Sequence, residues 1–266
     1  MSAPETPAVA ARPVSLVTGA ARRIGRAIAL ELAAAGHDLA LHCRHSRDEA
    51  EALAAELRAL GGRAEVWAVD LADEAACRDL VPAIVARFGR LDAVVNNAST
   101  FEYDDALSFS HAAMERHWRA NTAPAVLLAQ GLHAHLLARG AGAASGCLVN
   151  LLDQKLGNPN PDYFSYTLSK AALESAGVML AQALAPVLRV VGVAPGVTLT
   201  SGPMNDAEFD AAHRLTPLGR SSTPEDIARA VRFAIESPAV TGSTLWIDGG
   251  QHLMGQPRDV YFLGKT

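Results

Sequence analysis

The sequence predicts an α/β domain in which a parallel sheet is covered by helices on both faces. Three observations carry that reading. Short apolar runs alternate with segments whose apolar residues recur at helical spacing. The runs are apolar throughout rather than on alternate residues, so both faces of the sheet must be covered. No linker, composition shift or solenoid repeat divides the 266 residues, half of which are hydrophobic and only 19% charged, as suits a chain with a large core.

Each element follows in order. After Pro13 the run VSLVTG reads as a strand, and Ile24, Ala27, Ile28 and Leu32 mark one face of a helix stopped at Gly36. LALHC is the second strand, a helix from about Asp48 to Leu60 stops at Gly61-Gly62, and AEVWAVDL is the third strand. A helix ending near Gly89 leads into LDAVVNN. A long helix from about His111 to Arg139 precedes the strand GCLVNLL, and a helix from about Tyr163 to Ala185 precedes LRVVGVAPG. The last helix opens at Thr223-Pro224-Glu225, with threonine as N-cap and proline in the first turn, and STLWIDGG is the seventh strand. The longest aperiodic stretch, Val197 to Ser222, lies just after the sixth strand and is expected to be a lid or substrate loop. The reading is one domain over residues 13–266 behind a flexible leader, residues 1–12.

Composition narrows the function classes. A formal charge of −5 supplies no global field for nucleic acid or anionic lipid, so any anion must be held by local chemistry. Cys43, Cys77 and Cys147 lie far apart without a CxxC pair, which argues against a disulfide framework or zinc cluster and fits a reducing cytoplasm. The start lacks a basic n-region followed by an apolar h-region, and no run reaches membrane-spanning length. His133 and His135 are two apart in a helix and do not share a face, and no HExxH occurs, so no metal is expected.

TGAARRIG, Thr18 to Gly25, sits between the first strand and the first helix. Glycine there lets backbone approach a pyrophosphate, and the helix N-terminus offers free N–H groups; a ligand-free βα turn is the plainer alternative. Tyr166 and Lys170 are four apart on one helical face, where an ammonium can stabilise a phenolate and lower its pKa, although this spacing alone is common.

TGxxxxxG, Asn96-Asn97-Ala98, Asn121, YxxxK and Pro195-Gly196 occur in one fixed order. This ensemble resembles the short-chain dehydrogenase/reductase family, with its single doubly wound Rossmann domain and seven-stranded parallel sheet, from about Val14 to Leu253. The resemblance implies that Tyr166 protonates the reduced substrate, that Lys170 lowers its pKa and bonds the nicotinamide ribose, and that Asn121 holds a water of the proton relay. It implies Gly19 and Gly25 under the cofactor pyrophosphate, Asp70 at the adenine amino group, and Asn97 and Ala98 at the ribose. Pro195 and Gly196 would approach the nicotinamide, with Thr198 near its carboxamide or the phosphates, and Ile24, Leu71 and Ser99 complete the cofactor contacts. Read from residues alone, Asp70 is equally a helix N-cap.

Three departures refine the resemblance. Asp153 stands thirteen residues before Tyr166, where the family usually has serine; Arg23 replaces the middle glycine of the turn; and Asn96-Asn97-Ala98 continues as Ser99-Thr100-Phe101. Together Arg23, Phe101 and Asp153 resemble the pteridine reductase branch, in which an aromatic ring stacks on a pterin and an aspartate assists proton transfer. The substrate contacts implied are Ser99, Phe101, Asp153 and Tyr166; the plainer alternative is a divergent member with Phe101 in the core and Arg23 solvated. Independently of any family, a carboxylate beside Tyr166 opposes phenolate formation, yet it can serve a ring with nitrogen donors, favouring C=N over C=O substrates.

The end of the second strand reads His42-Cys43-Arg44-His45-Ser46-Arg47, with no carboxylate before Asp48. An acid there would bind the ribose hydroxyls of NAD and repel a 2′-phosphate; Arg44 and Ser46, helped by Arg22 or Arg23, can bind that phosphate instead. His45 stands where the pteridine reductase branch often has arginine, and a basic surface turn is the alternative. The expected function is an NADPH-dependent reductase of a pterin or dihydrofolate-like C=N bond. The runner-up is a carbonyl reductase of ketone or ketoacyl substrates, and a non-catalytic NADP(H)-binding sensor stands in a different class. By resemblance, the helices beginning near His111 and Tyr163 assemble a cytoplasmic homotetramer.

Overall fold

Every strand among the described residues, 12–200 and 204–263 of a computed structural model, pairs parallel with its neighbours. The strands are β1 (Val14–Val17), β2 (Asp38–Cys43), β3 (Ala64–Ala68), β4 (Ala93–Asn96), β5 (Gly146–Leu151), β6 (Leu188–Pro195) and β7 (Thr244–Ile247), in the order β3-β2-β1-β4-β5-β6-β7. The chain starts mid-sheet, winds outward to β3 and returns beside β1 with β4. That reversal opens a crevice beyond the carboxyl ends of β1 and β4, where ligands bind in such sheets.

The helices are α1 (Arg23–Ala34), α2 (Arg47–Ala59), α3 (Glu74–Phe88), α4 (His111–His117), α5 (Ala123–Ala138), α6 (Phe164–Ala183), α7 (Asp206–Arg214) and α8 (Pro224–Glu236). Successive strand side chains point to opposite faces, so Val17, Val149 and Val191 join Ile28 of α1, Leu53 of α2 and Val231 of α8 in one core. Leu16, Leu148 and Val190 join Leu80 of α3 and Leu132 of α5 in the other. Ile28 and Leu32 are fully buried one turn apart, each removal from water being worth about 1.5–3 kcal/mol.

Three expectations need correction. Arg12, assigned to the flexible leader, is tied down: its guanidinium donates to the carbonyls of Gly36 (3.0 Å) and Gly61 (3.1 Å) and pairs with Asp38 (3.3 Å). Residues 1–11 of that leader lie outside the described residues. The long helix from His111 to Arg139 is broken by a π-helical turn at Trp118–Thr122. The stretch Val197–Ser222 contains helix α7, opened by a capping box in which Asn205 accepts from the Glu208 N–H and Glu208 accepts from the Asn205 N–H. The box was legible as N-x-x-E; the helix behind it buries only Ala212, so no apolar stripe announced it.

Candidate active site

All but one of the expected site residues line one cavity of about 580 Å3 above the carboxyl ends of the strands. Its nucleotide end begins where β1 turns at Gly19, in the left-handed region at φ +62°. A Cβ on Gly25 would lie 2.2 Å from the Gly19 carbonyl oxygen, so α1 packs this close to the turn only through glycine. Asn97 Nδ2 donates to the carbonyls of Thr18 (2.8 Å) and Gly19 (3.1 Å), pinning the turn to the end of β4. Arg23, also at positive φ (+55°), donates to the Thr200 carbonyl at 2.8 Å and so links the turn to the chain beyond β6.

His42 was passed over in the sequence, yet it holds two halves of this end together. Its Nδ1 accepts from the Gly19 N–H (3.2 Å) and its Nε2 faces the Val69 carbonyl (2.9 Å), which places the ring proton on Nε2. Burial lowers its pKa and so favours this neutral form. The only sequence signal was a histidine inside an otherwise apolar strand. Beyond it, exposed Arg44 has no partner among the described residues, and Ser46 is the N-cap of α2 without a side-chain cap bond. Arg22 and His45 line the same end, Arg22 reaching Glu49 at 3.6 Å. Asp70 also lines the cavity beside Leu71 and accepts from the Ala72 N–H (3.0 Å). The α3 N-cap is Asp73, which removes the capping alternative for Asp70.

At the substrate end, α6 presents Tyr166 and Lys170, both buried, on one face. The Tyr166 hydroxyl donates to Asp153 Oδ2 at 2.9 Å, and Asp153 Oδ1 accepts from the Lys155 N–H at 2.9 Å. Burial raises the Asp153 pKa; burial, then the Asp153 charge, pushes Tyr166 well above the ordinary phenol value. The phenol therefore stands above, not below, its ordinary value in this structure, because burial and the Asp153 charge dominate. The Lys170 ammonium donates to the Leu151 carbonyl at 2.7 Å, and burial brings its pKa down to about 8.

Asn121 is the expected site residue that does not line the cavity. Its Oδ1 accepts from the Thr100 N–H (2.7 Å) and the Ser99 hydroxyl (3.2 Å), while Nδ2 donates to the Thr100 carbonyl and Ser169 Oγ at 3.0 Å each. The side-chain amide is fully engaged by protein and ties the Ser99-Thr100 segment to α6 through Ser169.

Phe101 is placed by its neighbours. Its ring stacks on Tyr163 (centroids 4.1 Å, 16° between planes) and meets Tyr166 edge-on at 4.7 Å, leaving it 41% exposed with one face covered. Asp104 clamps the same segment to the start of α6, accepting from the Ser165 N–H (2.9 Å) and hydroxyl (2.5 Å). Tyr163 itself sits at φ +53°, a strained conformation for a bulky residue, and is held there by the rings of Phe101 and Tyr103 and by the Lys155 ammonium 5.3 Å above it. Pro195 ends β6, and Gly196 and Thr198 just beyond it also line the cavity. Lys155, Met204 and Asp259 also line the cavity; they went unnoticed because they lie on irregular segments with no periodic signal. No group of three metal-ligating side chains occurs among the described residues, and no described helix is long and apolar enough to cross a membrane.

This arrangement supplies a buried proton donor, a carboxylate beside it and a glycine-turned helix N-terminus in one crevice. A family model described as Enoyl-(Acyl carrier protein) reductase matches residues 19–252. The crystal structure of FolM Alternative dihydrofolate reductase 1 from Brucella canis, complexed with NADP, is 39% identical and superposes with a TM-score of 0.87 over 94% of this chain and 97% of that one. A short chain dehydrogenase from Burkholderia cenocepacia in complex with NADP is 32% identical, with a TM-score of 0.82 over 90% and 97% of the two chains. The 3-oxoacyl-[acyl-carrier-protein] reductase FabG of Aggregatibacter actinomycetemcomitans is 31% identical over 88% of this chain and 97% of its own. Sheet order, the Tyr166–Lys170 pair and a family match spanning nearly the whole domain lead to one conclusion: the chain belongs to the short-chain dehydrogenase/reductase family of oxidoreductases.

Proposed function

We propose that this protein is an NADPH-dependent reductase acting on the C=N bond of a pterin or dihydrofolate-like ring. The observation that carries the reading is the Tyr166–Asp153 hydrogen bond beside a half-exposed Phe101 ring, a proton donor and a carboxylate next to a flat aromatic surface. The residues present fit the cofactor. Arg44, without a partner among the described residues, and Ser46, with its hydroxyl uncapped, suit a 2′-phosphate, which a carboxylate there would repel. The N-terminus of α1 and the Gly19 turn suit a pyrophosphate, and Asp70 and Asn97 are held within the same cavity for the adenosine and ribose. Bound NADPH supplies the hydride.

The chain's own residues do the rest. Phe101 offers one free face to a planar heterocycle, a pairing worth about 0.5–1.5 kcal/mol beyond burial. The raised pKa keeps Tyr166 protonated at neutral pH, the form an acid needs, and Asp153 at 2.9 Å is placed to relay a proton as Tyr166 is restored. Lys170, anchored on Leu151, holds positive charge next to the phenol, with its ammonium 5.7 Å from the ring centre. Exposed Trp118, Leu168 and Met179 on the two long helical stretches support a homotetramer, and a cytoplasmic enzyme fits the free cysteines. The FabG likeness keeps a carbonyl reductase as the second reading. NADPH oxidation followed by absorbance decides between them: turnover of dihydropterins or dihydrofolate supports the proposal, and turnover of ketones alone replaces it with the second reading.

A further inference from the structure

The C-terminal segment reaches the substrate end of the cavity through contacts to which the proposed reaction assigns no role. Asp162, buried just before Tyr163, accepts a fork from Arg258, Nε at 2.7 Å and Nη2 at 2.7 Å, and also accepts from the Asp259 N–H at 2.7 Å. A buried carboxylate so satisfied fixes the position of whatever is bonded to it. Phe262 reinforces the seat, lying 4.5 Å beneath the Arg258 guanidinium and 5.6 Å from the Tyr103 ring. The segment thereby holds the Asp259 side chain in the cavity wall.

Asp259 shares that cavity with Tyr166 and Asp153, and its charge is one of those felt at the Tyr166 hydroxyl. Its Oδ2 meets the Lys155 ammonium at 3.3 Å and its Oδ1 accepts from the Tyr261 N–H at 3.1 Å. A carboxylate has about four acceptor positions, so two remain for a ligand. Asp153 accepts from the Tyr166 hydroxyl and so works at the reacting end of the cavity, whereas Asp259 accepts from neither reacting group and stands as a second carboxylate of the same wall.

We propose that Asp259 is a specificity-determining residue that accepts hydrogen bonds from N–H or O–H donors of a neutral heterocyclic substrate, at a place away from the bond being reduced. The inference rests on the pterin reading above and deepens it. A pterin carries such donors at its exocyclic amine and on a hydroxylated side chain. A simple ketone carries none, and would desolvate the half-buried carboxylate without replacing its water.

The test measures KM on the full chain at saturating NADPH for three compounds: a dihydropterin with a hydroxylated side chain, its analogue lacking the exocyclic amine, and its analogue with a methyl group as side chain. The native protein is expected to discriminate against at least one analogue by about ten- to hundredfold, and the analogue affected identifies the donor. Asp259→Asn is expected to abolish most of that ratio through KM rather than kcat. Asp259→Glu keeps the acceptor and is expected to restore part of it, an outcome that mere loosening of the segment does not give; if the Asn variant melts early, the Glu variant decides. A native ratio that persists in Asp259→Asn, or a native protein indifferent to both analogues, overturns the assignment and leaves the pterin reading standing. A native protein that reduces no dihydropterin removes both.

Discussion

At the nucleotide end of the cavity the side chains of interest follow β1 to β4 within a few residues, and Arg22, Arg44 and His45 are exposed; at the substrate end Phe101, Asp153, Tyr166 and Asp259 arrive from four separate segments and lean on one another. The first end works by charge and backbone geometry, its exposed basic side chains standing apart from the turn that His42 and Asn97 brace. The second works by mutual support: Tyr163 orients Phe101, Asp104 clamps that segment to α6, and Asp162 ties both to the C-terminal segment. Substitutions at the open end should therefore change one property at a time, while those at the closed end should change several.

The largest expected effect tests whether the two ends separate. Tyr166→Phe should lower turnover by about a hundred- to ten-thousandfold while NADPH affinity, read by fluorescence titration, stays near native, because the ring still packs but the proton is gone. Turnover close to native would remove Tyr166 from the mechanism. Next, Arg44→Asp should reverse the preference for NADPH over NADH, by roughly ten- to hundredfold in the ratio of dissociation constants, without altering the substrate profile. A native protein binding both cofactors equally would contradict the phosphate assignment.

Two changes at the closed end sharpen the contrast. Asp153→Ser should depress dihydropterin reduction by about tenfold or more while sparing or improving ketone reduction, as kcat/KM for the two substrate types will tell. Phe101→Ala should raise the dihydropterin KM about two- to tenfold, the size of one aromatic pairing; an unchanged KM would detach that ring from substrate binding.

The last test leaves catalysis aside and reads a slope in stability. Burial brings the Lys170 pKa down to about 8 from its ordinary 10.5, so between those values the unfolded chain binds more protons than the folded one, and stability rises with pH. The buried ammonium thus destabilises the fold below that window, and the cost is relieved across it. Urea denaturation at intervals through this range should show a gain no steeper than about 1.4 kcal/mol per pH unit, absent in Lys170→Met. An identical slope in that variant would assign the proton elsewhere.

The same contrast explains what the sequence made legible. The seven strands were readable because each is a short apolar run, and the nucleotide end because its chemistry sits in consecutive residues after those runs, from Thr18 to Gly25 and from Arg44 to Ser46. Phe101 and Asp153 were recognisable as departures from a family pattern, although neither spacing nor composition revealed that Phe101 stacks on Tyr163. Lys155 and Asp259 are 104 positions apart, and their meeting depends on a closed tertiary structure with no local periodicity to signal it. Helix α7 was missed for a different reason, since a short helix with one buried residue is held by its cap more than by a stripe.

The π-helical turn at Trp118–Thr122 splits one helix into two rotational phases. A residue advances an α-helix by about 100°, so deleting any one position of the turn would restore regular winding while swinging α4 by that angle relative to α5. Either His117, whose Nε2 accepts from the Glu102 N–H, or Asn121, which holds Ser99 and Thr100, would then face the wrong way. Trp118 and Arg119 are exposed, and replacing either side chain leaves that offset intact. At Trp118 and Arg119 the count of residues matters more than their identity, so these two positions tolerate a changed codon where they do not tolerate a lost one.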